Sequence, residues 1–129
     1  MAKKILNIVE SAYRAVMEEQ DDTILWLVAA MQGAGGTHTI VLRGNAVNYA
    51  VGGQGAPGLT VGQWKQTQVP KMDRDIVDLI ETRKIPVFVV EEDVAERGIG
   101  LHELVVGVEL ISRKSLPALF AGYEVVSHW

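Results

Sequence analysis

The run Ile85-Pro-Val-Phe-Val-Val, followed at once by Glu91-Glu-Asp, constrains the fold more than any other stretch. An apolar, β-branched run without alternation reads as a strand buried on both faces. Pro86 stands near its start, where a missing N–H donor is tolerated. Residues 85–91 are therefore expected as an interior strand of a parallel sheet. At the carboxyl end of such strands ligands and reactive groups collect, and here that end carries three acids and then Ala95-Glu-Arg-Gly-Ile.

The rest of the chain repeats the theme. Residues 3–9 form a first apolar strand, and 38–43 a second. Between them, 10–20 read as a loop that becomes helical. Asp21 and Asp22 favour a helix start through the dipole. Ile24, Leu27, Val28 and Met31 follow at helical spacing, and Gly33, Gly35 and Gly36 end the helix. After Gly44, Asn45 to Ala50 suggest a short helix. Helical spacing returns at Met72, Ile76, Leu79, Ile80 and Arg83. Beyond the third strand come a polar turn over 93–98, an amphipathic piece over 101–105 and a fourth strand over 108–111. A helix over 113–121, with Pro117 in its first turn if Ser115 caps it, precedes a final strand over 123–128. Alternating strands and helices predict a three-layer α/β/α sandwich, its five-stranded sheet mainly parallel with right-handed crossovers.

Residues 52–69 break the pattern, with Gly52, Gly53, Gly55, Gly58 and Gly62 around Pro57 and Trp64. A loop of that length inside a compact domain is functional or mobile as a rule. Its flanks continue the alternation, so 1–129 are expected to form one domain. The stretch is not a phosphate loop, since Gly-Lys-Ser/Thr is missing and no Gly-x-Gly-x-x-Gly joins the first strand to its helix. A lid, an oligomer contact and a plain connection all fit it.

Charge and composition exclude several classes. A net charge of −4 argues against a nucleic-acid binder. No apolar run approaches the roughly 20 residues that span a bilayer. The opening residues lack a signal-peptide pattern, so a cytoplasmic protein is expected. With no cysteine in the sequence, this chain can offer neither a disulfide nor a thiol nucleophile. His38, His102 and His128 share no ligand spacing, so no metal site is expected. His38 and His128 read as surface or subunit contacts at strand ends. No Gly-x-Ser-x-Gly elbow exists; no catalytic residue and no cofactor is assigned.

Two groups of side chains are candidates for a pocket at the carboxyl edge. Glu91, Glu92 and Asp93 would repel one another, raising a pKa for acid or base work or gathering a cation. In the plainer reading Asp93 caps the following helix while the glutamates face water or pair with Arg97. Strand alternation would put Glu91 and Glu92 on opposite faces. Tyr13 and Arg14, after the first strand, would join Asn45, Asn48 and Tyr49, with Arg14 suited to an anion. Packing and surface charge explain the same residues. A mean hydropathy of +0.15 is high for a small acidic domain, which points to apolar surface buried between subunits. Leu59, Val61, Trp64 and Trp129 are the candidate contacts.

In its order of elements the chain resembles the DsrE/DsrF-like family of sulfur-relay proteins. Arg43-Gly44-Asn45-Ala46-Val47 is similar to that family's Gly-Asp-Ala-Val after strand two, and Ala95 to Ile99 to its tail after strand three. Residues 101–112, with Gly107, Val108 and Glu109, resemble its approach to strand four. The resemblance implies a homo-oligomer, a trimer or hexamer, and sulfur-relay-type protein partners. It does not carry over the relay activity, because Glu91, Glu92 and Asp93 stand where the persulfide-bearing cysteine belongs and a carboxylate cannot hold persulfide sulfur. Two readings follow. One is a non-catalytic binding or structural subunit; the other is a small-molecule-binding protein or enzyme using the polar pocket.

Overall fold

A computed structural model describes residues 3–11, 22–54, 58–67 and 71–129. Five parallel strands form the sheet, in the order β6-β5-β2-β1-β7. They are β1 (Lys4–Val9), β2 (Thr37–Leu42), β5 (Val87–Val90), β6 (Glu109–Ile111) and β7 (Val125–His128). Two short strands, β3 (Thr60–Val61) and β4 (Trp64–Lys65), make a separate antiparallel hairpin.

Chain order explains where the helices lie. From β1 to β2, β5 and β6 the chain steps always toward the same edge, and then it returns across the whole sheet to β7. Right-handed crossovers put the helices of forward steps on one face and the helix of the return on the other. Accordingly α1 (Thr23–Gly33), α2 (Met72–Glu81) and α3 (Glu91–Glu96) share one core with Ile40, Leu42, Val87 and Val89. The six-residue α4 (Leu116–Ala121) covers Leu6, Val41 and Val90 on the opposite face. Ile40, Val41 and Leu42 have no exposed surface, and full burial of each such side chain contributes about 1.5–3 kcal/mol.

Local rules fix the helix starts. Asp22 caps α1, its Oδ1 accepting from the N–H groups of Ile24 (2.9 Å) and Leu25 (3.1 Å). The other Asp22 oxygen accepts the Tyr49 hydroxyl at 2.6 Å. This bond ties the 3-10 segment Gly44–Ala50 to the cap. Pro117 lies in the first turn of α4 as expected. Ser115 holds the cap position without capping, because its hydroxyl is engaged with that of Ser112 at 2.8 Å.

Several expectations need correction. The third strand ends at Val90, and Glu91 already begins α3. Three acids in a helix's first turn complement its dipole, and that outweighs extension of the strand. Glu91 and Glu92 therefore do not alternate across a strand. The 52–69 stretch is not loop throughout, since Gly62 at φ +61 turns the β3–β4 hairpin. The buried stripe of α1 is Leu25 and Val28, while Met31 is 42% exposed. Nearly every side chain of α1 is apolar, so periodicity alone did not set its phase. His38 is interior, 2% exposed, and its Nδ1 accepts from the Asn7 side-chain amide at 3.0 Å.

Candidate functional site

In an open parallel sheet the ligand crevice opens where neighbouring strands send their outgoing connections to opposite faces. Here β5 leads into α3 on one face and β6 leads into α4 on the other. The crevice therefore lies between the carboxyl ends of β5 and β6. Its walls are the first turn of α3 and the segment Ser112 to Ser115.

Asp93 sits at the centre, 7% exposed. Its Oδ2 accepts the Gly44 N–H at 2.9 Å, and its Oδ1 accepts from Arg113 Nη2 at 2.6 Å. Burial alone would raise the pKa of this carboxyl. The Gly44 N–H and the Arg113 guanidinium outweigh burial, with help from the charge of Arg97, and hold it below the usual carboxylate range. Reciprocally, the bonds to Asp93 and Glu96 raise the pKa of Arg113. Asp93 is therefore a fixed anion rather than a proton carrier.

The neighbours are engaged in the same way. Both oxygens of Glu92 accept the Arg113 backbone N–H, at 2.9 and 3.0 Å. Glu96 accepts from the Arg113 guanidinium at 3.3 Å. Arg97 donates to Asn45 Oδ1 from two nitrogens, at 3.2 and 3.0 Å, and to the Asp93 carbonyl at 3.1 Å. Gly44 has φ +56, and a Cβ there would meet Glu10 Cγ at 3.1 Å, so glycine lets the β2 turn approach both Glu10 and Asp93. On the β1 side, Glu10 pairs with His128 at 2.6 Å and lies 3.7 Å from the Arg43 guanidinium. Trp129 continues β7 along β1, its N–H donating to the Ile8 carbonyl at 2.8 Å.

The sequence candidates divide accordingly. Asn45, Arg97 and Glu92 do meet at the crevice rim, but as one another's neighbours and partners. Arg97 pairs with Asn45 rather than with the glutamates, and Asp93 links α3 to β2 and β6 instead of capping a helix. Glu91 is exposed and borders a shallow depression with Val94, Ile99 and Leu101. Asn48 is exposed and donates to the Asn45 carbonyl at 2.9 Å. Tyr49, within the 3-10 segment, is buried and donates its hydroxyl to Asp22. Tyr13 and Arg14 lie outside the described residues. Sequence reasoning missed Arg113 and Gly44. The signal for Arg113 was positional, since it is among the first residues past the strand whose connection reverses. Among the described residues no group of three acid or imidazole side chains stands close enough to hold a metal ion.

No family model and no curated protein matches this chain. Solved structures do. The ychN protein of E. coli is 18% identical, with a TM-score of 0.70 over 100% of both chains. A protein of unknown function from Methanobacterium thermoautotrophicum is 11% identical, with a TM-score of 0.63 over 98% of this chain and 99% of that one. At these identities the shared property is the fold. None of the described helices is long and apolar enough to cross a membrane.

Proposed function

We propose that this chain is a non-catalytic, homo-oligomeric binding or structural subunit related to the sulfur-relay proteins of the DsrE/DsrF-like family. The carrying observation is the crevice between β5 and β6. Its buried carboxylate is held by Gly44 and Arg113, and Glu92 accepts the Arg113 N–H. A ligand at this position would compete with bonds that the chain already makes. The sequence also supplies no thiol for persulfide. The same reading carries the expectation of a cytoplasmic protein.

Support for assembly comes from the surface. All three tryptophans are exposed, Trp26 by 62%, Trp64 by 51% and Trp129 by 42%. Tryptophan is on average highly buried in monomers. Val61 and Leu59 add to that surface. Native mass spectrometry of protein purified without refolding tests the reading. A discrete trimer or hexamer without added mass is expected. A stoichiometric added mass that Glu92→Gln abolishes, with the assembly kept, would replace it with the small-molecule-binding alternative.

A further inference from the structure

Among the described residues two exposed apolar surfaces stand out, and they differ in shape. One is concave. Helix α1 reads TILWLVAAMQG, and a helix apolar on all sides is normally buried on all sides. Here Trp26 and Met31 remain exposed. Beside them a cleft of about 200 Å³ opens between α1 and α2, lined by Trp26, Ala29 and Leu79 with Asp75, Asp78 and Arg83 at its polar border. Small-molecule pockets usually measure about 300–1,000 Å³. A cleft below that range suits a single anchoring side chain, the pattern of interface pockets filled by one aromatic residue.

The other surface is convex. The β3–β4 hairpin pairs Val61 directly with Trp64, and these side chains are 68% and 51% exposed. A hairpin of two-residue strands cannot bury its own aromatic. Charge distinguishes the two surfaces as well. Residues 58–67 contain one ionisable side chain, Lys65, next to Trp64, and no acid. The cleft is bordered by Asp75 and Asp78 against Arg83, and the rest of α2 adds Asp73 and Glu81 against Arg74. Opposite fields of this kind steer encounter and fix register.

We infer that the β3–β4 hairpin of one protomer seats Trp64 in the α1–α2 cleft of a second copy, with Lys65 facing Asp75 and Asp78. This rests on the homo-oligomeric reading and specifies its contact. Hairpin and cleft are different patches, so every copy is satisfied when the contact is reciprocal in a two-fold dimer or when it closes head-to-tail into a ring.

The test uses two exposed-residue variants of the full chain, Trp64→Ser with a defective hairpin and Trp26→Glu with a defective cleft. Circular dichroism verifies that each is folded, and light scattering after size exclusion gives the mass. Each variant alone should lose the wild-type assembly and be unable to form this contact with itself. Their equimolar mixture should form a one-to-one pair, because the intact hairpin of the cleft variant fits the intact cleft of the hairpin variant. Should Trp64→Ser alone keep the wild-type mass, or the mixture show no pairing, the hairpin–cleft contact is wrong while the oligomer stands. A monomeric wild type would overturn both this contact and the homo-oligomeric reading.

Discussion

The crevice between β5 and β6 and the surface formed by α1 and the β3–β4 hairpin are opposites. In the first, polar groups meet and satisfy one another. Asp93, Glu92, Glu96, Arg97, Asn45 and Arg113 bond within the chain. In the second, large apolar side chains are exposed, Trp26 by 62%, Val61 by 68% and Trp64 by 51%. The fold places its usual ligand position at the crevice, whereas the proposed contact lies elsewhere. Asp93 is the buried charge at the centre of that network, and removing a partner leaves it uncompensated. An exposed tryptophan contributes little to its own fold and much to whatever covers it. The two regions should therefore respond to mutation in opposite ways.

The largest effect is expected at Asp93. Asp93→Ala leaves the Gly44 N–H without its acceptor and the Arg113 guanidinium with Glu96 alone, and should cost about 1–3 kcal/mol in urea unfolding. Combined with Arg113→Ala, the loss should be clearly less than additive, which a double-mutant cycle reads directly. Additive losses would mean that the two side chains act independently, and the crevice would no longer count as closed.

A comparable cost is expected at a site the surface comparison does not involve. A Cβ on Gly36 would lie 2.8 Å from His38 Nε2 and 3.0 Å from the Met31 carbonyl oxygen. Gly36→Ala should lose about 1–3 kcal/mol through overpacking, with assembly intact at temperatures below unfolding. Tyr49→Phe removes the hydroxyl bond to the α1 cap and should cost about 1 kcal/mol.

Acid provides a further contrast. Burial holds His38 below its ordinary pKa near 6.5. As the pH falls through about 6.5, the unfolded chain therefore binds the proton first, and stability declines from there toward the lower folded value. His38→Gln should flatten that part of the stability profile between about pH 7 and 5. Asp93 acts lower: its stabilisation is present above about pH 4 and is lost as the pH falls through its depressed folded value. The smallest stability change is expected for Trp64→Ser, within about 0.5 kcal/mol under conditions where the chain is dissociated. A large loss there would show that the hairpin packs on its own chain, and the contrast would collapse.

Much of the fold is legible in the sequence because it rests on local rules. Apolar β-branched runs mark the strands, Asp22 marks the start of α1, and Pro117 fits the first turn of the last helix. The features that resist reading are those set by tertiary contact. Glu91 and Glu92 follow an apolar run that reads as continuous strand; the helix start there is favoured by three acids and held by the Asp93 bond to Gly44, a residue far away in sequence. Helix α1 is apolar on every side, so its sequence carries little information about which residues face the sheet. His38 looks like a strand-end surface residue until Asn7, far away in sequence, is placed beside it. The crevice was legible as a place, since a strand end with three acids names itself. Its partner was not, because Arg113 follows β6, a strand placed beside β5 only by the topology. Candidate contacts on the hairpin followed from one tryptophan in a glycine-rich stretch, whereas Trp26 was hidden inside a helix that seemed complete.

Amide hydrogen exchange at two protein concentrations tests the central contrast most directly. At high concentration, amides of α1 and of residues 58–67 should exchange more slowly than at high dilution, because association covers them. The amides of Gly44 and Arg113, bonded to Asp93 and Glu92, should be protected equally at both. Protection at α1 and the hairpin that ignores concentration, together with rapid exchange at Gly44 and Arg113, would contradict the account: the crevice would be open and the apolar surface would not be a contact.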